Sequence, residues 1–217
     1  MYELIVFDLD GTLLDTLQDL TDAVNVSLSK NGGGKRTEKE VRSFLGDGMR
    51  ILVKRALGED YAQHWEQAVA DFSAYYTANS ANKTKPYEGI IELLKELKNR
   101  RIKTAVLSNK PDNTTKRLSE RFFEGLMTEA VGENECMGIR KKPAPDALFS
   151  LLERLGVEKE KTVYVGDSEV DIQTAQNAGV ACISVSWGFR DKEFLAENGA
   201  TVFVDTPMDI LKLIEVK

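Results

Sequence analysis

The chain has 217 residues, 42% of them apolar, and a formal net charge of −6. This length and apolar content fit one large domain, or a core with a smaller insert. The acidic balance predicts neither a nucleic-acid nor an anionic-membrane partner, and no apolar stretch is long enough to span a bilayer. The first predicted strand follows Met1 closely, so we expect no signal peptide. The two cysteines, Cys136 and Cys182, are expected to stay reduced, which favours a cytoplasmic enzyme.

An apolar run near the start of the chain ends in two carboxylates. Residues 4–7 read Leu-Ile-Val-Phe, the pattern of a strand buried on both faces of a parallel sheet. Alternation along such a strand would place Asp8 and Asp10 on the same side, so that both reach one small volume. Gly11 lets the backbone turn away directly afterwards. Two acids at this position are costly unless a cation or a reaction needs them.

The next segment, from Asp15 to about Lys83, has helical spacing and no convincing strand pattern. A first helix ends at the breaker 31–34, and Thr37 with Glu40 forms a capping box that begins a second. A third helix ends at Gly58, and a longer helical pattern follows over 65–76. The segment is therefore predicted to be a compact helical block.

Beyond this block, strand patterns alternate with helical ones. Strands are predicted at 104–108, 127–131, 162–165, 181–185 and 202–203, with helices at about 90–97, from 111, at 148–155 and at 170–178. This alternation predicts an α/β fold with a doubly wound parallel sheet. We expect an α/β core formed by 1–14 and 84–217, and a small helical domain, 15–83, inserted after the first strand.

Polar side chains follow several of these strands. In open α/β sheets, ligands bind outside the carboxyl ends of the strands. The residues predicted at this edge are Asp8, Asp10, Ser108, Asn109, Asp167 and Asp171, together with Lys142 from a preceding loop. Several carboxylates cannot converge and stay ionised without a hard cation, and Mg²⁺ with its oxygen ligands suits such a site. The set predicts phosphoryl transfer.

The chemistry assigns different roles to these groups. A carboxylate that attacks phosphorus forms an aspartyl-phosphate, and the transferred charge needs Mg²⁺ and Lys142 as positive partners. The Ser108 hydroxyl and nearby backbone amides, including those around Gly11 and Asn109, can hold the other phosphate oxygens. Asp10 is placed to protonate a leaving alcohol and later to activate water.

Four segments of the chain resemble the motifs of the haloacid dehalogenase superfamily, and the resemblance extends over nearly the whole chain. They are Asp8-Leu9-Asp10-Gly11-Thr12, Leu107-Ser108-Asn109, Lys142-Pro143-Ala144-Pro145 and Gly166-Asp167-Ser168-Glu169-Val170-Asp171. The lysine directly before proline favours Lys142 over its neighbour Lys141.

This resemblance implies that Asp8 is the nucleophile, Asp10 the general acid/base, Ser108 a phosphate ligand and Lys142 a charge neutraliser. It also implies Mg²⁺ held by Asp8, Asp167 and the backbone carbonyl of Asp10, with Asp171 in support. The helical insert looks like the family's cap. An acid at position 10 argues against a true haloacid dehalogenase.

Within the superfamily, the chain looks most like phosphoglycolate phosphatases. This similarity rests on 46–50 and Ala56-Leu57 in the insert, and on 178–180 and 187–188. The predicted function is Mg²⁺-dependent hydrolysis of a small phosphorylated metabolite, with 2-phosphoglycolate as the best candidate, by a monomer or homodimer. Arg50 is the candidate cation of the insert for an anionic substrate. A phosphosugar mutase, a pyrophosphatase and a phosphate-binding protein without turnover are the alternatives.

Overall fold

The computed structural model describes residues 1–215 and divides the chain into two compact units. The α/β unit comprises Met1–Leu14 and the chain from Pro86 onwards, and the helical unit is Asp15–Lys85. The second boundary falls two residues beyond the predicted one. Within the described range, no helix combines the length and the apolar character needed to cross a membrane.

The α/β unit is built on a parallel sheet. The strands of the chain are β1 (Leu4–Phe7), β2 (Leu14–Asp15), β3 (Lys85–Pro86), β4 (Lys103–Pro111), β5 (Glu129–Glu133), β6 (Thr162–Gly166), β7 (Ala181–Val185) and β8 (Phe203–Val204). Six of them form one sheet in the order β5-β4-β1-β6-β7-β8. At the end of the central strand β1, Phe7 lies opposite Val106 on one side and Val165 on the other. The predicted α/β fold with a parallel sheet is confirmed.

Helices occupy the connections between the strands of the main sheet and make up most of the insert. They are α1 (Leu17–Lys30), α2 (Glu38–Phe44), α3 (Met49–Leu57), α4 (Trp65–Asn79), α5 (Ile90–Asn99), α6 (Asp112–Phe123), α7 (Asp146–Leu155), α8 (Glu169–Ala178), α9 (Lys192–Glu197) and α10 (Asp209–Glu215). One apolar core joins Leu4 and Val6 of β1 to α7 and α8, with Leu148, Leu151 and Ala175 fully buried. This packing fixes the strand ends that carry the polar residues.

The helical unit has its own core. Leu28, Val41, Leu52 and Phe72, one residue from each of α1–α4, are buried together. The predicted capping box is present, since Thr37 accepts from the backbone N–H of Glu40 while the Glu40 carboxylate accepts from that of Thr37. The sequence pattern identified all four α-helices of this unit.

Several element boundaries differ from the predicted ones. β1 ends at Phe7, before the two acids, and β4 continues three residues past the predicted end at Ser108. β5 and β8 begin two and one residues later than predicted, and α9 and α10 were not predicted. The paired strands β2 and β3 have two residues each, too few to produce a periodic signal.

Candidate active site

Three aspartates converge at the carboxyl end of the sheet. Asp8 follows β1, and its backbone N–H donates to the Val165 carbonyl at 2.9 Å. Asp167 follows β6, and Asp171 lies in the first turn of α8. Each of these three buried residues offers a carboxylate oxygen within 4.8 Å of the others. Strands β1 and β6 are adjacent and parallel, which is why Asp8 and Asp167 meet although they are far apart in the sequence.

Burial makes three charges here expensive. Burial raises the pKa of Asp8 to about 7, the Lys142 ammonium opposes this, and Asp171 and Asp10 add to it. Burial, then the charges of Asp171 and Asp8, hold the pKa of Asp167 well above its usual range. Asp8 Oδ1 is buried and accepts no well-directed hydrogen bond from the described residues. A cluster of buried carboxylates in which Asp8 Oδ1 lacks a well-directed donor fits a hard divalent cation.

The Lys142 side chain contributes a positive charge to this cluster of carboxylates. Its ammonium lies 2.9 Å from Asp8 Oδ1, an ion pair whose geometry is off-line for a hydrogen bond, and 2.7 Å from Asp171 Oδ1. Burial alone would lower the pKa of Lys142, but the carboxylates of Asp171 and Asp8 outweigh it and raise the pKa well above its usual value. Lys142 is buried while the alternative, Lys141, is only partly so. The structure thus places Lys142 beside the proposed nucleophile.

Asp171 is saturated with hydrogen bonds. Its Oδ2 accepts from the backbone N–H and the hydroxyl of Ser168, at 3.1 and 2.6 Å. Its Oδ1 accepts from Lys142 and lies 3.2 Å from the Tyr164 hydroxyl. Tyr164 is fully buried, accepts from Lys142 at 3.1 Å and lies 3.1 Å from the Leu107 carbonyl. Asp171 therefore holds Lys142 and closes the capping box of α8.

Both carboxylate oxygens of Asp167 accept hydrogen bonds from other residues of the chain. Oδ1 accepts from the Thr12 hydroxyl at 2.9 Å, and Oδ2 accepts from the Phe189 backbone N–H at 2.7 Å. Gly11 has φ +85°, and a Cβ there would lie 2.3 Å from Asp167 Oδ2. A Cβ on Gly188 would lie 2.2 Å from Asp167 Cβ. Gly11 and Gly188 thus give Asp167 the space it occupies.

Asp10 lies apart from the carboxylate cluster. The predicted strand alternation does not extend to it, because β1 ends at Phe7. Of the described acidic side chains, the cluster contains Asp8, Asp167 and Asp171 but not Asp10. Its carboxylate pairs with Lys110 instead, with Nζ 3.0 Å from Oδ2. A metal contact of Asp10 through its carboxylate is thus not part of the observed arrangement, and the predicted contact through its backbone carbonyl stays a prediction.

Ser108 and Asn109 lie in the carboxyl-terminal half of β4 and line one pocket together with Lys142. The buried Ser108 hydroxyl accepts from the backbone N–H of Lys110 at 3.3 Å. The Asn109 amide makes two bonds to the Lys142 backbone: its Oδ1 accepts from N–H at 2.8 Å and its Nδ2 donates to the carbonyl at 3.0 Å. The Asn109 side chain therefore fixes the Lys142 backbone, and its predicted contact with substrate stays a prediction.

Arg50 belongs to the helical unit. Its guanidinium pairs with Glu66, and both side chains are exposed. The assignment of Arg50 to substrate binding stays a prediction.

Sequence reasoning did not identify Lys110, Tyr164 or Thr12. The strand predicted at 104–108 stops before Lys110. Lys110 was therefore not counted among the residues at the strand end, although it follows Asn109 directly and lies within β4. A tyrosine in a fully buried strand needs a partner for its hydroxyl, and that signal was available at Tyr164. Thr12 donates to a residue 155 positions away, a contact that no local pattern encodes.

Comparisons with known proteins identify related sequences and structures. The chain is 33% identical over 214 residues to phosphoglycolate phosphatase 1 of Pseudomonas aeruginosa, covering 96% of this chain and 78% of that protein. It is 32% identical over 212 residues to the phosphoglycolate phosphatase of Aquifex aeolicus, covering 97% and 96%. A crystal structure of a provisionally assigned phosphoglycolate phosphatase from Lactobacillus delbrueckii subsp. bulgaricus is also similar, with a TM-score of 0.91, 36% identity and 98% coverage of both chains.

The fold and these similarities define an enzyme, a phosphoric monoester hydrolase. Residues 5–185 match the haloacid dehalogenase-like hydrolases, and the chain belongs to that family.

Proposed function

We propose that this enzyme is a Mg²⁺-dependent phosphatase that acts through an aspartyl-phosphate on Asp8, with 2-phosphoglycolate as its substrate. The observation that carries the proposal is the buried cluster of Asp8, Asp167 and Asp171 with the Lys142 ammonium 2.9 Å from Asp8. A nucleophilic carboxylate needs neighbouring positive charge to approach a phosphate dianion, and Lys142 provides it from within the chain.

In the first step, an Asp8 oxygen forms a bond to phosphorus while the bond from phosphorus to the alcohol oxygen breaks. Asp10, in its protonated form, gives its proton to that alcohol oxygen. In the second step, water attacks phosphorus, Asp10 takes the proton of the water, and the bond from phosphorus to Asp8 breaks. Inorganic phosphate leaves, and both aspartates return to their starting states.

Other residues support these two. The Ser108 hydroxyl and nearby backbone amides hold phosphate oxygens, and Asn109 and Asp171 keep the Lys142 ammonium in place. Mg²⁺, held by Asp8 and Asp167, would supply further positive charge against the phosphoryl oxygens. The hydrogen bonds on both Asp171 oxygens support a role as a holder of Lys142 rather than as a direct metal ligand.

The choice of substrate rests on the relatives. Two similar enzymes, from Pseudomonas aeruginosa and Aquifex aeolicus, bear the name phosphoglycolate phosphatase and align with nearly all of this chain. The proposed substrate is therefore a small phosphomonoester whose alcohol carries a carboxylate.

Phosphate release from a panel of compounds tests this function. The panel contains 2-phosphoglycolate, pyrophosphate, glucose 6-phosphate and β-glucose 1-phosphate, each with Mg²⁺ and with a chelator. We expect the highest kcat/KM for 2-phosphoglycolate and loss of release under chelation. Isomerisation of β-glucose 1-phosphate, or faster release from pyrophosphate, would contradict the proposal. Calorimetry of Mg²⁺ binding to the wild type and to Asp167→Asn gives an independent reading of the metal site.

A further inference from the structure

A second buried ammonium lies beside the proposed proton carrier. Lys110 is two residues past Ser108, and its side chain is only 3% exposed. Its Nζ lies 3.0 Å from Asp10 Oδ2. The chain thus places one buried ammonium beside Asp8 and another beside Asp10.

The two oxygens of Asp10 lie in different environments. Oδ2 is paired with Lys110, whereas Oδ1 is buried and has no hydrogen-bond partner among the described residues. An unmet buried carboxylate oxygen is costly, and a ligand that donates to it or shares a proton with it relieves that cost. The Asp10 side chain as a whole is 20% exposed, and Oδ1 is the oxygen that retains the capacity to share a proton with the alcohol oxygen of a bound ester.

A leaving alcohol that receives its proton from Asp10 would lie next to Lys110. A group that shares a proton with Asp10 lies within hydrogen-bond reach of it. In 2-phosphoglycolate, the carboxylate carbon is only two bonds from the ester oxygen, so the carboxylate of an ester bound in this way would lie within reach of the Lys110 ammonium. Buried charges in proteins are paired, and a buried ammonium is a strong partner for a second anionic group.

We propose that Lys110 recognises the carboxylate of the leaving alcohol and selects phosphomonoesters with an anionic group next to the ester carbon. The inference rests on the proposed function for its choice of substrate. In this arrangement two ammonium groups bind the two ends of the substrate: Lys142 lies beside the phosphoryl group, and Lys110 binds the carboxylate of the alcohol.

The test compares Lys110→Met with the wild type on two substrates of similar size, 2-phosphoglycolate and ethyl phosphate, which lacks the carboxylate. We expect the ratio of the two kcat/KM values to fall about 30-fold or more, because removing one partner of a buried charge pair costs about 2 kcal/mol or more. Lys116→Met, which removes an exposed lysine of α6, should leave this ratio unchanged. An equal loss on both substrates, or no loss, would show that Lys110 does not read the carboxylate.

Binding of the alcohol product provides a second measurement, one that does not depend on turnover. In the wild type with Mg²⁺ and inorganic phosphate, glycolate should bind at least about 30-fold more tightly than glycolamide, its uncharged analogue, by calorimetry. Equal binding of the two would overturn the role of Lys110. If the enzyme released no phosphate from any ester, the proposed function would fail, and the same glycolate comparison repeated on Lys110→Met would still decide whether Lys110 binds the carboxylate.

Discussion

Replacing Asp8 with asparagine removes one of three clustered carboxylates and keeps the size of the side chain. Burial raises the pKa of Asp8 from 3.8 to about 7 in the folded, metal-free protein. A difference of one in pKa corresponds to about 1.4 kcal/mol, so ionised Asp8 destabilises the fold by about 4 kcal/mol above pH 7. Asp8→Asn should therefore be more stable than the wild type at pH 8, although it lacks the nucleophile.

The pH dependence has a defined sign. Between pH 3.8 and about 7, the folded protein holds a proton on Asp8 that the unfolded chain has lost. The stability of the metal-free wild type should therefore fall as pH rises through this window and stay low above it. The advantage of Asp8→Asn should be about 2 kcal/mol at pH 5 and about 4 kcal/mol at pH 8.

Urea unfolding in the presence of a chelator, at pH 5 and pH 8, measures this difference. Asp22→Asn is the matched control, since Asp22 forms an exposed pair with Lys83 and its loss should change stability by about 0.5 kcal/mol or less at either pH. Saturating Mg²⁺ should stabilise the wild type by about 2.7 kcal/mol at one hundred times its Kd, and the variant by much less. An Asp8→Asn protein that is no more stable than the wild type at pH 8 without metal would refute the electrostatic reasoning.

Three further variants test how the neighbours hold the site. Gly11→Ala places a Cβ 2.3 Å from Asp167 Oδ2, which should displace this carboxylate and abolish the rise in Tm that Mg²⁺ induces. A rise in Tm equal to that of the wild type would show that Gly11 is not needed to position Asp167. Asn109→Ala leaves two backbone groups of Lys142 without their partner, and urea unfolding should show a loss of about 1–3 kcal/mol together with a lower kcat. Tyr164→Phe removes the hydroxyl 3.1 Å from the Lys142 ammonium, and steady-state kinetics should show kcat reduced with KM nearly unchanged; a change in KM alone would argue against this support.

The periodicity of the sequence was sufficient for most of the fold. Buried strands such as β1 and β6 and amphipathic helices such as α5 and α7 carry continuous apolar runs or one-sided patterns, and these elements form where predicted. The paired strands β2 and β3 depend on contacts between distant segments, so the local pattern did not reveal them.

The candidate site, like the fold, could be predicted from the sequence only in part. The types of residue at the strand ends indicated carboxylates, a hydroxyl and an ammonium, and the sheet brings Asp8, Asp167, Asp171 and Lys142 together. The separation of Asp10 from this cluster was not predictable, because it depends on β1 ending at Phe7. Side-chain orientation decides which carboxylate meets which ammonium, and the pairing of Asp10 with Lys110 is fixed by the three-dimensional arrangement of β1 and β4.

The most direct test of the account is the state of Asp8 during turnover. Wild-type enzyme mixed with 2-phosphoglycolate and Mg²⁺, quenched in acid within one turnover and digested, should yield a phosphorylated peptide containing Asp8 by mass spectrometry. Asp8→Asn should yield no such peptide and release no phosphate. Steady phosphate release by Asp8→Asn at the wild-type rate would contradict the assignment of Asp8 as the nucleophile.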